Sequence, residues 1–212
     1  MSEQKGKFIV FEGLDGAGTS TQMLRLKKWL SKNNVPAELT KEPSNGPFGA
    51  VIRQAIEARI SVDPVTRALA FACDRVDHLF NKHNGIKLSL DSGIWVLSDR
   101  YILSSLAYQN AEDIDLEWLI SINKFIVDPD LTIFIDTPTE TCLERLKSRS
   151  SHLELFHDGS KLGKVLKNYR DLLHTSRFVG DLITINGGNT EQKVFNELIE
   201  DFQKWLEKYN LY

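Results

Sequence analysis

Short apolar, β-rich runs recur along the chain at Phe8–Phe11, Ala37–Thr40, Ile94–Ser98, Leu131–Ile135 and Leu182–Ile185, with helically spaced apolar residues between them. This alternation predicts an α/β fold, a five-stranded parallel sheet flanked by helices, with most strands buried on both faces. Met23, Leu26 and Leu30 mark the apolar face of a helix after the first strand. Phe48, Val51, Ile52, Ala55 and Ile56 trace a second stripe, and Val65, Leu69, Cys73, Val76 and Phe80 a third; both read as faces turned to the core. Asp63-Pro64 has an N-cap followed by proline at the first helical position, and Thr137-Pro138-Thr139-Glu140 has the spacing of a capping box, so helices are expected after both. Ser148 to Gly163 lacks periodicity and suits a lid segment.

Composition narrows the class. With 212 residues, 42% of them hydrophobic, the chain suits one domain spanning 1–212. A formal net charge of -3 supplies no global basic field, so neither a nucleic-acid polymer nor a membrane surface is expected as partner. The apolar run at Phe8–Phe11 is too short for a signal sequence, and no run elsewhere is long enough to span a bilayer. Cys73 and Cys142 lack metal-ligand spacing and read as small buried hydrophobes, which suits a reducing cytoplasm.

The chemistry begins at "FEGLDGAGTSTQ", Phe11 to Gln22. A glycine-rich turn between a strand and an amphipathic helix is the context of a phosphate-binding loop, in which backbone N–H groups and the helix N-terminus face phosphate oxygens. Gly13, Gly16, Ala17, Gly18, Thr19, Ser20 and Thr21 are therefore the candidate ATP-binding residues, and Ser20 is the candidate hydroxyl ligand of Mg²⁺. Thr19 stands where the pattern G-x-x-x-x-G-K-[ST] has lysine. By analogy with deleting one transition-state donor, that loss costs ~3–4 kcal/mol, or roughly 10²- to 10³-fold in rate, unless another cation replaces it. Asp99-Arg100 follows the third strand, at the carboxyl edge where open α/β sheets bind ligands, and Asp99 is a second magnesium-site candidate.

"EGLDGAG", "TKEP", "FACDR", "DRYILSSLAYQ" and "PDLTIFID", in this order, resemble the thymidylate kinase family, P-loop nucleoside monophosphate kinases that phosphorylate dTMP with ATP and Mg²⁺. The resemblance runs from the first strand to the last helix. It implies a catalytic centre at Asp15, beside the sugar 3′-hydroxyl, with phosphate handled by Arg100, Arg53 and Lys41. It further implies Phe71 stacked on thymine, Arg75 at the polar edge of the base, Tyr108 against the deoxyribose, and Ser105 and Gln109 lining the base pocket. A homodimer formed through helices is also implied. An aromatic face with several arginines suits a nucleotide monophosphate, because a guanidinium makes paired bonds to phosphate or to a base edge.

The chain departs from the family pattern at four places. Thr19 is the first. The lid offers Arg149, the first candidate for the replacing cation, with Lys147, His152, His157, Lys161 and Lys164, but lacks the usual D-R-x-E. Lys41 replaces arginine, and Asn186 stands where aspartate more often follows the last strand. Two alternatives stay open on sequence alone: a weak or silent nucleotide-binding protein, and a kinase of another nucleotide.

Overall fold

Phe8, Ile9, Val10 and Phe11 are each at most 1% exposed and form, with Glu12, the central strand β1 (Phe8–Glu12) of the computed structural model, which describes residues 5–149, 159–175 and 177–211. The other strands are β2 (Ala37–Lys41), β3 (Trp95–Asp99), β4 (Leu131–Asp136) and β5 (Asp181–Asn186), all parallel, in the order β2-β3-β1-β4-β5. Phe8 lies opposite Val96, and Ile9 opposite Leu131. Each strand runs one polar residue past its apolar run, to Glu12, Lys41, Asp99, Asp136 and Asn186. The ladder persists there although the covered faces have ended, so polar groups collect at one edge of the sheet. β1 leads away towards β2, while β3 leads across β1 towards β4; the loops of these neighbours part and leave a crevice at their carboxyl ends.

The helices are α1 (Thr19–Lys32), α2 (Pro47–Ile56), α3 (Pro64–Phe80), α4 (Ile86–Asp91), α5 (Ile102–Asn110), α6 (Leu116–Ile122), α7 (Thr139–Arg149), α8 (Gly159–Thr175) and α9 (Glu191–Lys208). Asp63 caps α3 as expected, its Oδ1 accepting from the amides of Val65 at 2.8 Å and Thr66 at 3.3 Å. Thr137 does not take the capping role: α7 begins at Thr139, and the Thr137 hydroxyl donates to the Ala17 carbonyl at 3.3 Å, tying β4's end to the phosphate loop.

Two expectations fail. The stripes on α2 and α3 are not core faces: Phe48, Val51, Leu69 and Phe80 are 43–49% exposed, and of the α2 stripe only Ile52 is fully buried. α3 instead turns Ala68, Ala72, Arg75 and Leu79 inward, because small alanines let the helix approach closely and Arg75 finds polar partners inside. Of the cysteines, Cys142 is buried, with its thiol pushed up to about 11 by burial, whereas Cys73 sits exposed on the uncovered side of α3; both are free.

Candidate active site

The phosphate loop leaves the sheet at Glu12 and enters α1 at Thr19. Gly18 adopts φ 103° directly before the helix, and Gly16 has φ 84°, conformations that side chains rarely tolerate. A Cβ on Gly16 would also stand 2.7 Å from the Cys142 carbonyl oxygen, so α7 presses on the loop from outside. Arg145 of α7 fastens it there, donating to the carbonyls of Ala17 at 3.1 Å and Gly187 at 2.8 Å. It thereby joins the phosphate loop to the turn after β5. Asn186, the last residue of β5, accepts from the Gly188 amide at 2.9 Å.

Thr19 is only 7% exposed, and its methyl lies beneath the turn close to Gly13. Ser20 donates its hydroxyl to Asp99 Oδ2, joining α1 to the end of β3. Asp99 Oδ1 is buried without a hydrogen-bond partner. An orphaned carboxylate oxygen beside a hydroxyl at a phosphate loop is a hard oxygen donor set, and it fits a magnesium ion.

Arg100, the next residue, holds the centre. Its amide donates to the Phe11 carbonyl at 2.8 Å with φ 72°, so the backbone is left-handed at a non-glycine position. The guanidinium donates to Asp15 Oδ1 at 2.7 Å and to Ser104 Oγ at 3.0 Å, and lies 5.1 Å from the Tyr108 ring centre. Burial opposes its charge, but Tyr108, Asp15, Tyr169 and Asp99 outweigh that and hold it more firmly protonated than usual. Tyr108 shares Asp15, accepting from the Asp15 amide at 3.1 Å and donating to its Oδ2 at 3.2 Å. Below them Glu12, fully buried, accepts from the Tyr101 amide at 2.9 Å, Ser104 Oγ at 2.5 Å and Tyr169 Oη at 3.0 Å. Burial pushes the Glu12 carboxyl above its usual range, against the hydrogen bond from Ser104, the charge of Arg100 and the hydrogen bond from Tyr169.

A cavity of about 540 Å³ runs from this centre between α3, α5 and α8. Its wall includes Gly16, Thr19 and Ser20 at one end, and Phe71, Arg75, Ser105 and Gln109 at the other. Gln109 is only 3% exposed, and both its amide atoms are buried without partners. Arg75, 1% exposed, is held by Glu42 at 2.8 Å, by Ser105 Oγ at 2.7 Å and by Asn123. It is a buried strut as well as a wall residue. Lys41, exposed at the end of β2, and Arg53, which donates to the carbonyls of Pro43 and Ser44, lie outside the wall. The side chain of Arg149, with His152 and His157, falls outside the described residues.

The thymidylate kinase family model matches residues 11–198. The chain belongs to the thymidylate kinase family. It is similar to a probable thymidylate kinase of Thermococcus gammatolerans, 38% identical over 204 residues that cover 92% of this chain and 94% of that one. The corresponding protein of Thermococcus onnurineus is 40% identical over 202 residues, 91% of this chain and 95% of the relative. That of Methanococcus aeolicus is 36% identical over 197 residues, 92% and 94% of the two. Sequence reasoning did not single out Glu12, Tyr169, Arg145, Arg67 or Glu112, which line or brace this cavity, and it named Lys161 only among the lid cations. Glu12 carried the one usable signal, a charged residue closing an otherwise apolar strand. The rest are polar residues on helix faces or, for Glu112, in the turn after α5, and their partners lie far away in sequence.

Proposed function

We propose that this chain transfers the γ-phosphoryl group of ATP to dTMP, giving dTDP and ADP. One observation carries the proposal: a single cavity holds a phosphate loop with an orphaned Asp99 oxygen at one end, and an unpartnered Gln109 amide beside Phe71 at the other. Two nucleotides meeting end to end need such a cavity, and Asp15 with Arg100 stands between its ends.

In this reading the backbone N–H groups of residues 13–18 and the N-terminus of α1 hold the donor phosphates. Ser20 and Asp99 hold Mg²⁺, which when bound neutralises charge on the phosphate oxygens. Phe71 stacks on the base and Gln109 meets its polar edge, next to Ser105 and Arg75. Tyr108, fixed through Asp15, packs on the deoxyribose. Arg100 supplies positive charge beside the loop, and its support by Asp15, Ser104 and Tyr108 presets its direction before substrate arrives. Lys41 and Arg53 serve the acceptor phosphate from outside the wall, and Arg149 adds charge from the lid. No general base is needed, since the acceptor phosphate is already ionised near neutral pH and the reaction demands alignment and charge neutralisation. Two free thiols suit a cytoplasmic setting, and the uncovered apolar face of α2 and α3 suits a homodimer.

The test is ADP release from ATP and Mg²⁺ with and without dTMP, for wild type beside Thr19→Lys and Asp15→Asn. Turnover in wild type that requires dTMP, is lost in Asp15→Asn and rises in Thr19→Lys is the expected pattern. Wild-type turnover that is equal with dGMP or dCMP replaces thymidylate by another acceptor, and a wild type that binds ATP without turnover removes the kinase reading.

A further inference from the structure

At the end of the cavity remote from the phosphate loop, Glu112, just beyond α5, takes two cations at once. Arg67 of α3 bonds its Oε2, and Lys161 of α8 bonds its Oε1 at 2.5 Å. All three residues line the cavity. The side chains of Arg67, Glu112 and Lys161 are 21%, 20% and 37% exposed, so the group is largely removed from solvent and less screened than a surface pair.

The position of the group gives it leverage. α3 and α8 both pack on α5. Arg75 meets Ser105 near the sheet, and two helical turns earlier on α3, Arg67 meets Glu112 at the far end. Likewise Tyr169 meets Ser104 near the sheet, and Lys161, two turns earlier on α8, meets Glu112. The three helices are thus pinned at the bottom by Arg75 and Tyr169 and at the top by one carboxylate, with Phe71 and Gln109 between the pins. Without the carboxylate, a guanidinium and an ammonium would face each other unpaired and push the two helices apart.

Resting on the kinase reading above, we propose that Glu112 is a positioning residue for the acceptor: by holding Arg67 and Lys161 together it fixes the width of the pocket that receives dTMP. It touches neither reacting phosphate. Its influence therefore falls on acceptor binding and leaves the ATP end unchanged.

The experiment measures dTMP and ATP affinity by calorimetry on the full chain, each nucleotide alone, together with thermal unfolding. Glu112→Gln is compared with a sign-reversed triple variant, Arg67→Glu with Glu112→Lys and Lys161→Glu, and with Lys167→Gln, which breaks an exposed pair with Asp171 on the same helix. Misplacement on the ångström scale costs up to about 10²-fold, so Glu112→Gln is expected to weaken dTMP binding about tenfold, with ATP within about twofold and the triple variant close to wild type. Lys167→Gln should match wild type. An unchanged dTMP affinity in Glu112→Gln overturns the proposal. So does equal weakening of ATP with a lowered melting temperature, which marks a purely structural role. A folded triple variant that stays weak overturns it too, because the positive charge itself would then be what binds. Wild type that binds dTMP without turning it over removes the kinase reading, while the same affinities still decide the role of Glu112. Wild type that does not bind dTMP overturns both.

Discussion

Arg100 shows how much a single position can be asked to do. Its backbone sits at φ 72°, a conformation that costs a non-glycine residue ~1–2 kcal/mol. Its side chain meanwhile joins Asp15, Ser104 and Tyr108. Glycine would relax that backbone, and only arginine supplies a fork that meets a carboxylate and a hydroxyl together. The two demands separate experimentally. Arg100→Gly and Arg100→Ala should both lose roughly 10²-fold or more in turnover, as expected for deletion of one aligned charge donor. Yet the glycine variant should be more stable than the alanine variant by about 1 kcal/mol, because only alanine retains the strained φ. Thermal unfolding of the pair measures this, and equal midpoints would show that the strain is relieved elsewhere. Buried Glu12 beneath Arg100 has the opposite character. Its carboxyl is raised by burial, so the unfolded chain releases the proton first, and Glu12 lowers stability as pH rises from the unfolded value through the raised one.

At the scale of elements, the phosphate loop is held from both sides. α1 draws its own N-terminus from it, and α7 braces it through Arg145 and through contact at Gly16. Gly16 and Gly18 both have positive φ, but a Cβ on Gly16 would meet the Cys142 carbonyl at 2.7 Å, while one on Gly18 would meet nothing within 4 Å. Gly18→Ala should therefore cost only backbone strain, ~1–2 kcal/mol, whereas Gly16→Ala adds overpacking of ~1–3 kcal/mol and displaces α7. Urea unfolding and ATP affinity of the two variants check this; equal losses would show that α7 yields freely. The sequence disclosed such elements well. Apolar runs located five strands, and Asp63-Pro64 located the start of α3, because both signals are local. The meeting of Arg67, Glu112 and Lys161 was not legible, since it depends on how three helices lie against one another. Arg75 was legible as a pocket residue, but its anchoring by Glu42 and Asn123 was not. The α2 and α3 stripes misled because amphipathic spacing reveals that a face is apolar without saying what covers it.

At the scale of the whole molecule, that apolar face is a departure from a self-sufficient fold. Phe48 and Val51 on α2, with Val65, Leu69, Val76 and Phe80 on α3, are 38–49% exposed, beside the free thiol of Cys73. Single exposed apolar residues are ordinary, but this many on two neighbouring helices suit a contact surface. α3 carries that surface on one side and Arg67, Phe71 and Arg75 of the cavity wall on the other, so a second copy packed here would brace the acceptor pocket from behind. Leu69→Glu places a charge in the middle of the stripe without touching the wall. Sedimentation should show wild type as a dimer at micromolar concentration and Leu69→Glu as a monomer with an unchanged helical content. If the brace matters, the monomer should need several-fold more dTMP for half-maximal rate, while its requirement for ATP stays as in wild type. A wild type that sediments as a monomer throughout would assign the face to a different partner, and a monomeric variant with unaltered dTMP dependence would show that the far end of the pocket is held by its own chain alone.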